Sequence, residues 1–216
     1  MEMRYGQMDQ KTRTKHQNNL QYKVVKRLNK ISSKQMNKIK ENMKFYDFDE
    51  LSSDDDKKIV VKFNDSVDKV TYSDLTFFNG REMYEYKKKI LIEFIRKILD
   101  TVSENNCIII KYNEKWIVNK KESLELASIL NNRLITNKLK GGILVAKNDR
   151  IVELFIESVF KYNSFIQIVC QDSKLIISPS DHMDIFFQSN NFTELSNLII
   201  DSLNANDEDV LIYELI

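Results

Sequence analysis

Residues 165–178 read FIQIVCQDSKLIIS, two apolar runs on either side of Gln171-Asp172-Ser173. Phe165–Cys170 and Leu175–Ser178 have the length and the Ile/Val/Leu content of strands, and the residues between them are turn formers, so the stretch predicts a β-hairpin. The same arrangement recurs upstream. Ile59–Phe63 and Lys69–Tyr72 flank Asn64-Asp65-Ser66, and Cys107–Tyr112 and Trp116–Val118 flank Asn113-Glu114-Lys115.

Between these hairpins the period changes from two to about 3.6. Tyr84, Leu91, Phe94, Ile95, Ile98 and Val102 follow the turn signal Asn79-Gly80 and mark one face of a helix. Lys121–Leu139 is a second helix, with Leu126, Leu130 and Leu134 on one face, and Gly141-Gly142 ends it by supplying a backbone free to take positive φ. Ile143–Ala146 is a short all-apolar strand, and the next helix, capped by Asn148 or Asp149, carries Val152, Phe155, Ile156 and Val159. Ile185–Gln188 reads as a strand, Thr193–Leu203 as a helix opened near Asn191, and Val210–Leu215 as a closing strand. Hairpins and helices alternate without the βαβ rhythm of a doubly wound sheet. The expected fold class is α+β, a mixed and largely antiparallel sheet built from hairpins with helices packed on it, preceded by a basic helical N-terminal arm.

Composition narrows the classes. In 216 residues, 42% are apolar, 30% charged and 10% aromatic, which suits a packed core. No apolar run approaches the ~18–20 residues of a membrane span, and Met1–Asn19 lacks the apolar region of a signal peptide, so the expected location is cytoplasmic, with no membrane partner. The two cysteines, Cys107 and Cys170, each lie in an Ile/Val-rich run and read as buried small hydrophobes rather than a disulfide framework.

The net charge of +1 hides a strong gradient. Residues 1–46 hold 12 Lys/Arg and 3 Asp/Glu, residues 149–216 hold 3 and 12, and no Lys or Arg follows Lys174. The expected organisation is therefore a basic helical arm over 1–46, an acidic linker over 47–58 and an α/β domain over 59–216. In the arm, Leu20, Val24, Leu28, Ile31, Ile39 and Met43 form an apolar stripe, and Lys23, Arg27, Lys30, Lys34 and Lys38 a basic stripe beside it. Ser32 followed by Gln35 fits a capping box, which divides the arm into two helices near Ile31–Ser33.

Such a stripe matches a phosphate backbone, where each neutralised phosphate releases counterions. The candidate nucleic-acid contacts are Lys11, Arg13, Lys15, Lys23, Lys26, Arg27, Lys30, Lys34 and Lys38, and few aromatics accompany them, so backbone contact is expected rather than base stacking. An amphipathic helix packed on the domain or on a partner explains the same pattern, as does mutual neutralisation of the chain's two ends. At the acidic end, Glu194, Asp201, Asp207, Glu208 and Asp209 are the candidate contacts for a basic protein partner.

Catalytic patterns are sparse. His182 sits between Asp181 and Asp184, an arrangement that orients an imidazole, yet neighbours in one loop rarely converge. No CxxC, HExxH or GxSxG string occurs, and the glycine pair lies before a strand rather than after one, unlike a phosphate loop. A metal-dependent nuclease needs carboxylates and a lysine at adjacent strand ends; Asp172-Ser173-Lys174 and Glu85-Tyr86-Lys87 are the nearest strings. The expected function is accordingly a non-enzymatic binding or accessory protein without cofactor or metal, its arm on nucleic acid and its domain on a protein partner. The Lys, Asn and Ile usage suits a regulator or accessory subunit of a bacterial or phage system, with a homo-oligomer allowed. The alternatives are an immunity or antitoxin-type inhibitor acting through the acidic half, and a metal-dependent nuclease.

Overall fold

The computed structural model describes residues 29–48, 52–53, 57–64, 81–102, 105–111, 124–131, 142–162, 165–204 and 211–216. Its strands are β1 (Asn29–Lys30), β2 (Tyr46–Asp47), β3 (Ser52–Ser53), β4 (Ile59–Phe63), β5 (Asn106–Lys111), β6 (Gly142–Ala146), β7 (Ile166–Cys170), β8 (Leu175–Pro179), β9 (Ile185–Ser189) and β10 (Leu211–Leu215). Its helices, renumbered in chain order, are α1 (Ser33–Asn42), α2 (Arg81–Thr101), α3 (Leu124–Asn131), α4 (Arg150–Tyr162) and α5 (Phe192–Asn204).

One eight-stranded sheet runs in the order β1-β6-β5-β7-β8-β9-β4-β10, and every described pairing in it is antiparallel. The chain is thus an α+β fold with an antiparallel sheet. The hairpin at 165–178 is present as β7 and β8, paired from Ile168↔Ile177 to Cys170↔Leu175. The other two hairpins have one described arm each, β4 and β5, while Lys69–Tyr72 and Trp116–Val118 lie outside the described residues. Both edges of β5 are occupied, by β6 through Asn106–Ile110 and by β7 through Ile108–Lys111. β4 lies between β9 and β10, so the first long strand joins the sheet through two late ones.

Because strand side chains alternate, the sheet has two distinct faces. Cys107, Ile109, Ile143, Ile168, Ile177, Phe187 and Val61 belong to a large core shared with α2, α3, α4 and α5. Phe94 of α2 meets Phe187 edge-on at 6.0 Å, and Lys97 Nζ of α2 donates to the Ser202 carbonyl of α5 at 2.8 Å. The buried Glu153 of α4 pairs with Arg96 of α2 and Arg150 of its own helix.

The opposite face carries a second core. Ile108, Ile110, Val169 and Ile176 point there and are covered by Ile31, Ile39, Met43, Tyr46 and Phe48. This settles how residues 29–46, the later part of the expected arm, are used. Asn29–Lys30 pairs with Ile143–Leu144 as a strand, not a helix. Ser32 caps α1 with the expected box: its N–H donates to Gln35 Oε1 at 2.9 Å and its Oγ accepts from the Gln35 N–H at 3.2 Å. Of the arm's apolar stripe, Ile31, Ile39 and Met43 are buried on the sheet. Packed chain therefore begins by Asn29, inside the stretch that charge alone sets apart, and residues 1–28 lie outside the described region.

One local expectation is corrected. The beginning of the acidic segment is not solely a linker: Tyr46–Asp47 pairs with Ser52–Ser53, and Phe48 is buried. Burial of Tyr46 and Phe48, whose rings meet edge-on at 5.0 Å, anchors that chain despite its carboxylates. Gly142 opens β6 and is needed for space, while Gly141 and the expected helix end at Leu139 lie outside the described residues. A Cβ there would stand 2.6 Å from Ile108 Cγ2 and 3.0 Å from the Ile109 carbonyl oxygen.

Candidate functional site

The register places second-face side chains in two rows across the strands. One row runs Leu144, Ile108, Val169, Ile176 and then Gln188. The other has Gly142, Ile110 and Gln167 across β6, β5 and β7, and Ser178, Phe186 and Val60 across β8, β9 and β4. Both begin apolar under α1 and turn polar at Gln167, Ser178 and Gln188. Beside that change the structure holds a cavity of about 360 Å³, within the size range of small-molecule sites.

Tyr46 forms the wall between α1's core and this cavity. Gln167 Nε2 donates to the Tyr46 hydroxyl oxygen. Burial pushes the Tyr46 phenol up to about 12, more than offsetting the lowering by that hydrogen bond, and nearby Asp47 adds to the rise. Its phenol thus stays protonated at neutral pH. Gln167 and Gln188 are 1% and 3% exposed, and Gln167 Oε1 and Gln188 Nε2 have no hydrogen-bond partner among the described residues. Both residues line the cavity together with Phe165 and Phe186. Sequence reasoning missed this site; its available signal is a glutamine inside the otherwise apolar run Ile166–Cys170.

Of the candidate nucleic-acid residues, Lys30 is exposed on β1, and Lys34 and Lys38 are exposed on α1, one helical turn apart. Lys11, Arg13, Lys15, Lys23, Lys26 and Arg27 lie outside the described residues. Of the acidic candidates, Glu194 and Asp201 are exposed on α5, while Asp207, Glu208 and Asp209 fall outside. Glu194 is also engaged locally: Asn191 Nδ2 donates to its carboxylate at 2.8 Å, and its N–H donates to Asn191 Oδ1 at 3.3 Å. Since α5 buries Leu195 and Ile199 in the large core and α1 buries Ile39 in the second, the sheet stands between them. Neutralisation within one molecule does not join Lys34 and Lys38 to Glu194 and Asp201.

The possible catalytic strings do not converge. Asp172 and Lys174 occupy the β7–β8 turn, Lys174 at φ 50°. Glu85 pairs with Lys88, and Lys87 is buried with Nζ 4.7 Å from the Phe63 ring centroid. His182 Nε2 lies 3.9 Å from Asp181 Oδ1. Burial raises the carboxyl of Asp184 despite lowering contributions from His182 and Lys62, while Asp181 adds to the rise. Among the described residues no group of three or more His, Cys, Asp or Glu is arranged to hold a metal ion, and no helix is long and apolar enough to cross a membrane. Cys107 and Cys170 are buried and not joined in a disulfide.

No family model, curated protein or solved structure matches the chain.

Proposed function

We propose that this chain is a non-enzymatic binding protein whose basic N-terminal segment, including the exposed lysines of α1, contacts the phosphate backbone of nucleic acid without reading sequence. The observation that carries the reading is the disposition of α1. Its Ile39 side is spent on the sheet, while Lys34 and Lys38 remain exposed on the face opposite α5. Lys30 on β1 is also exposed, and the sequence supplies six further candidate cations before it. Phosphate contacts of this type position a protein and depend steeply on salt, but do not distinguish bases. The acidic outer side of α5, with Glu194 and Asp201, is the surface assigned to a protein partner in the same proposal.

Charge reversal tests the assignment. Lys34→Glu with Lys38→Glu is expected to weaken binding to unrelated DNA and RNA sequences alike, measured by fluorescence anisotropy on the full chain. Glu194→Lys with Asp201→Lys is expected to leave the protein at least as good a nucleic-acid binder. Equal behaviour of the wild type and the α1 variant would refute the reading.

A further inference from the structure

We propose that the outer edge of β10 is the interface of a symmetric homodimer, in which β10 pairs antiparallel with β10 of a second copy about a two-fold axis at Tyr213. The backbone of the edge sets the pattern. Ile216 N–H donates to the Lys58 carbonyl at 3.0 Å and Lys58 N–H to the Ile216 carbonyl at 2.8 Å, so the two form a hydrogen-bonded pair of the β4–β10 ladder. Such pairs alternate along antiparallel strands, which makes Glu214↔Val60 and Ile212↔Lys62 the next two. Leu215, Tyr213 and Leu211 fall between them and turn their N–H and C=O groups away from β4. β10 ends the sheet order, and among the described residues no strand pairs with that outer edge.

The same three residues carry apolar side chains on one face. Leu211 and its neighbours Ile59, Val61 and Phe63 on β4 belong to the large core, so Tyr213 and Leu215 lie on the helix face too. Leu211 is 8% exposed, whereas Tyr213 and Leu215 are 39% and 57% exposed. The apolar face thus reaches the open edge half-covered. The opposite edge is built differently: β1 is two residues long and presents the exposed Lys30, and both features discourage strand addition. β10 carries one charge, Glu214, which Lys62 Nζ pairs at 2.7 Å on the second face.

A second copy is the occupant this edge fits, because the pattern is self-complementary. With Tyr213 opposite Tyr213, Leu211 of each copy faces Leu215 of the other, and each facing pair exchanges two backbone hydrogen bonds. Rows of the large core then continue across the axis, Phe63 and Leu211 of one copy meeting Leu215 and Ile59 of the second. Glu214 faces Ile212 and keeps its own Lys62. A register centred on Glu214 sets two carboxylates directly opposite, which is unfavourable, and one centred on Ile212 carries Leu215 past the end of the described strand.

Sedimentation of the full chain without nucleic acid tests the interface. A reversible monomer–dimer equilibrium is expected, and a wild type wholly monomeric at roughly 0.3 mM, where a Kd of about 0.1 mM already leaves most chains paired, would overturn the proposal. Tyr213→Pro removes the outward N–H at the axis and none of the bonds to β4, so it should weaken dimerisation at least about tenfold. Tyr213→Val keeps that N–H and should still dimerise. A cooperatively melting Tyr213→Pro protein that dimerises like the wild type, or equal loss in both variants, would also overturn the proposal.

Cross-linking tests the register without relying on the proline variant. Cys107 and Cys170 are buried, so a cysteine on β10 supplies the accessible thiol. Facing residues of a hydrogen-bonded pair stand about 5.5 Å apart between Cα atoms, within disulfide reach, so Tyr213→Cys should form a covalent dimer on mild oxidation. Glu214→Cys, two positions out of register with its equivalent, should not. No covalent dimer from Tyr213→Cys, or preferential cross-linking through Glu214→Cys, would contradict the proposed axis. The edge stands apart from the α1 assignment, so Lys34→Glu with Lys38→Glu should dimerise as the wild type does.

Discussion

The two faces of the sheet use the same strands for different ends. On the helix face, Ile109, Ile143, Ile168, Ile177 and Phe187 are buried under four helices in one continuous apolar core. On the other, the apolar rows stop after Ile176 and Ile110, and Gln167, Ser178 and Gln188 follow them. Apolar burial holds the first face together without directional demands. The second face commits polar atoms that require directional partners, and its outer layer carries exposed cations on α1. The larger core lies on one side, and the proposed nucleic-acid contact falls on the other.

Adjacent residues of β6 break this comparison most sharply. Ile143 is fully buried on the helix face, and Ile143→Ala should cost about 2–5 kcal/mol through lost transfer energy and a cavity. Gly142 belongs to the second face, and Gly142→Ala should cost about 1–3 kcal/mol for the opposite reason, because the new methyl overlaps Ile108. Urea denaturation measures both. If Gly142→Ala were neutral, the close approach of β6 to β5 would not be a constraint on the second face.

A smaller effect sharpens the role of Tyr46. Its folded-state phenol is pushed up to about 12, whereas the unfolded chain ionises near the ordinary value of 10.0. Between those values the folded state holds more protons, so stability falls as pH rises through that window, by ~1.4 kcal/mol per pH unit from this group. Subtracting the profile of Tyr46→Phe from that of the wild type should isolate this slope. Parallel profiles would mean that the phenol is not held in a buried environment.

The smallest effect lies in the turn that joins β7 to β8. Lys174 adopts φ 50°, a left-handed conformation that costs a side-chain-bearing residue free energy. Lys174→Gly should stabilise the fold by roughly 0.5–1 kcal/mol, without altering either face. A destabilised variant would place the value of Lys174 in its side chain instead.

The helix face was legible because its signals are local. The period of Tyr84, Leu91, Phe94 and Ile98 marks α2, and the FIQIVCQDSKLIIS stretch marks its hairpin. The capping box at Ser32 located the start of α1 for the same reason. What α1 packs against was not legible: Ile31, Ile39 and Met43 show an apolar side, but only the register of β5, β7 and β8 shows that the sheet receives it. The cavity was harder still. Gln167 and Gln188 lie 21 positions apart in the sequence and come to one place only after β7, β8 and β9 pair.

The placing of nucleic-acid contact on the face opposite the larger core is tested most directly by the salt dependence of binding. With duplex DNA, logarithmic affinity is plotted against logarithmic salt concentration from roughly 50 to 200 mM for the wild type and for Lys34→Glu with Lys38→Glu. If both lysines neutralise phosphates, the slope should become shallower by about 1.8, at roughly 0.9 for each lost contact, with the fold intact. Identical slopes, or no binding by the wild type at the lowest salt, would contradict the account.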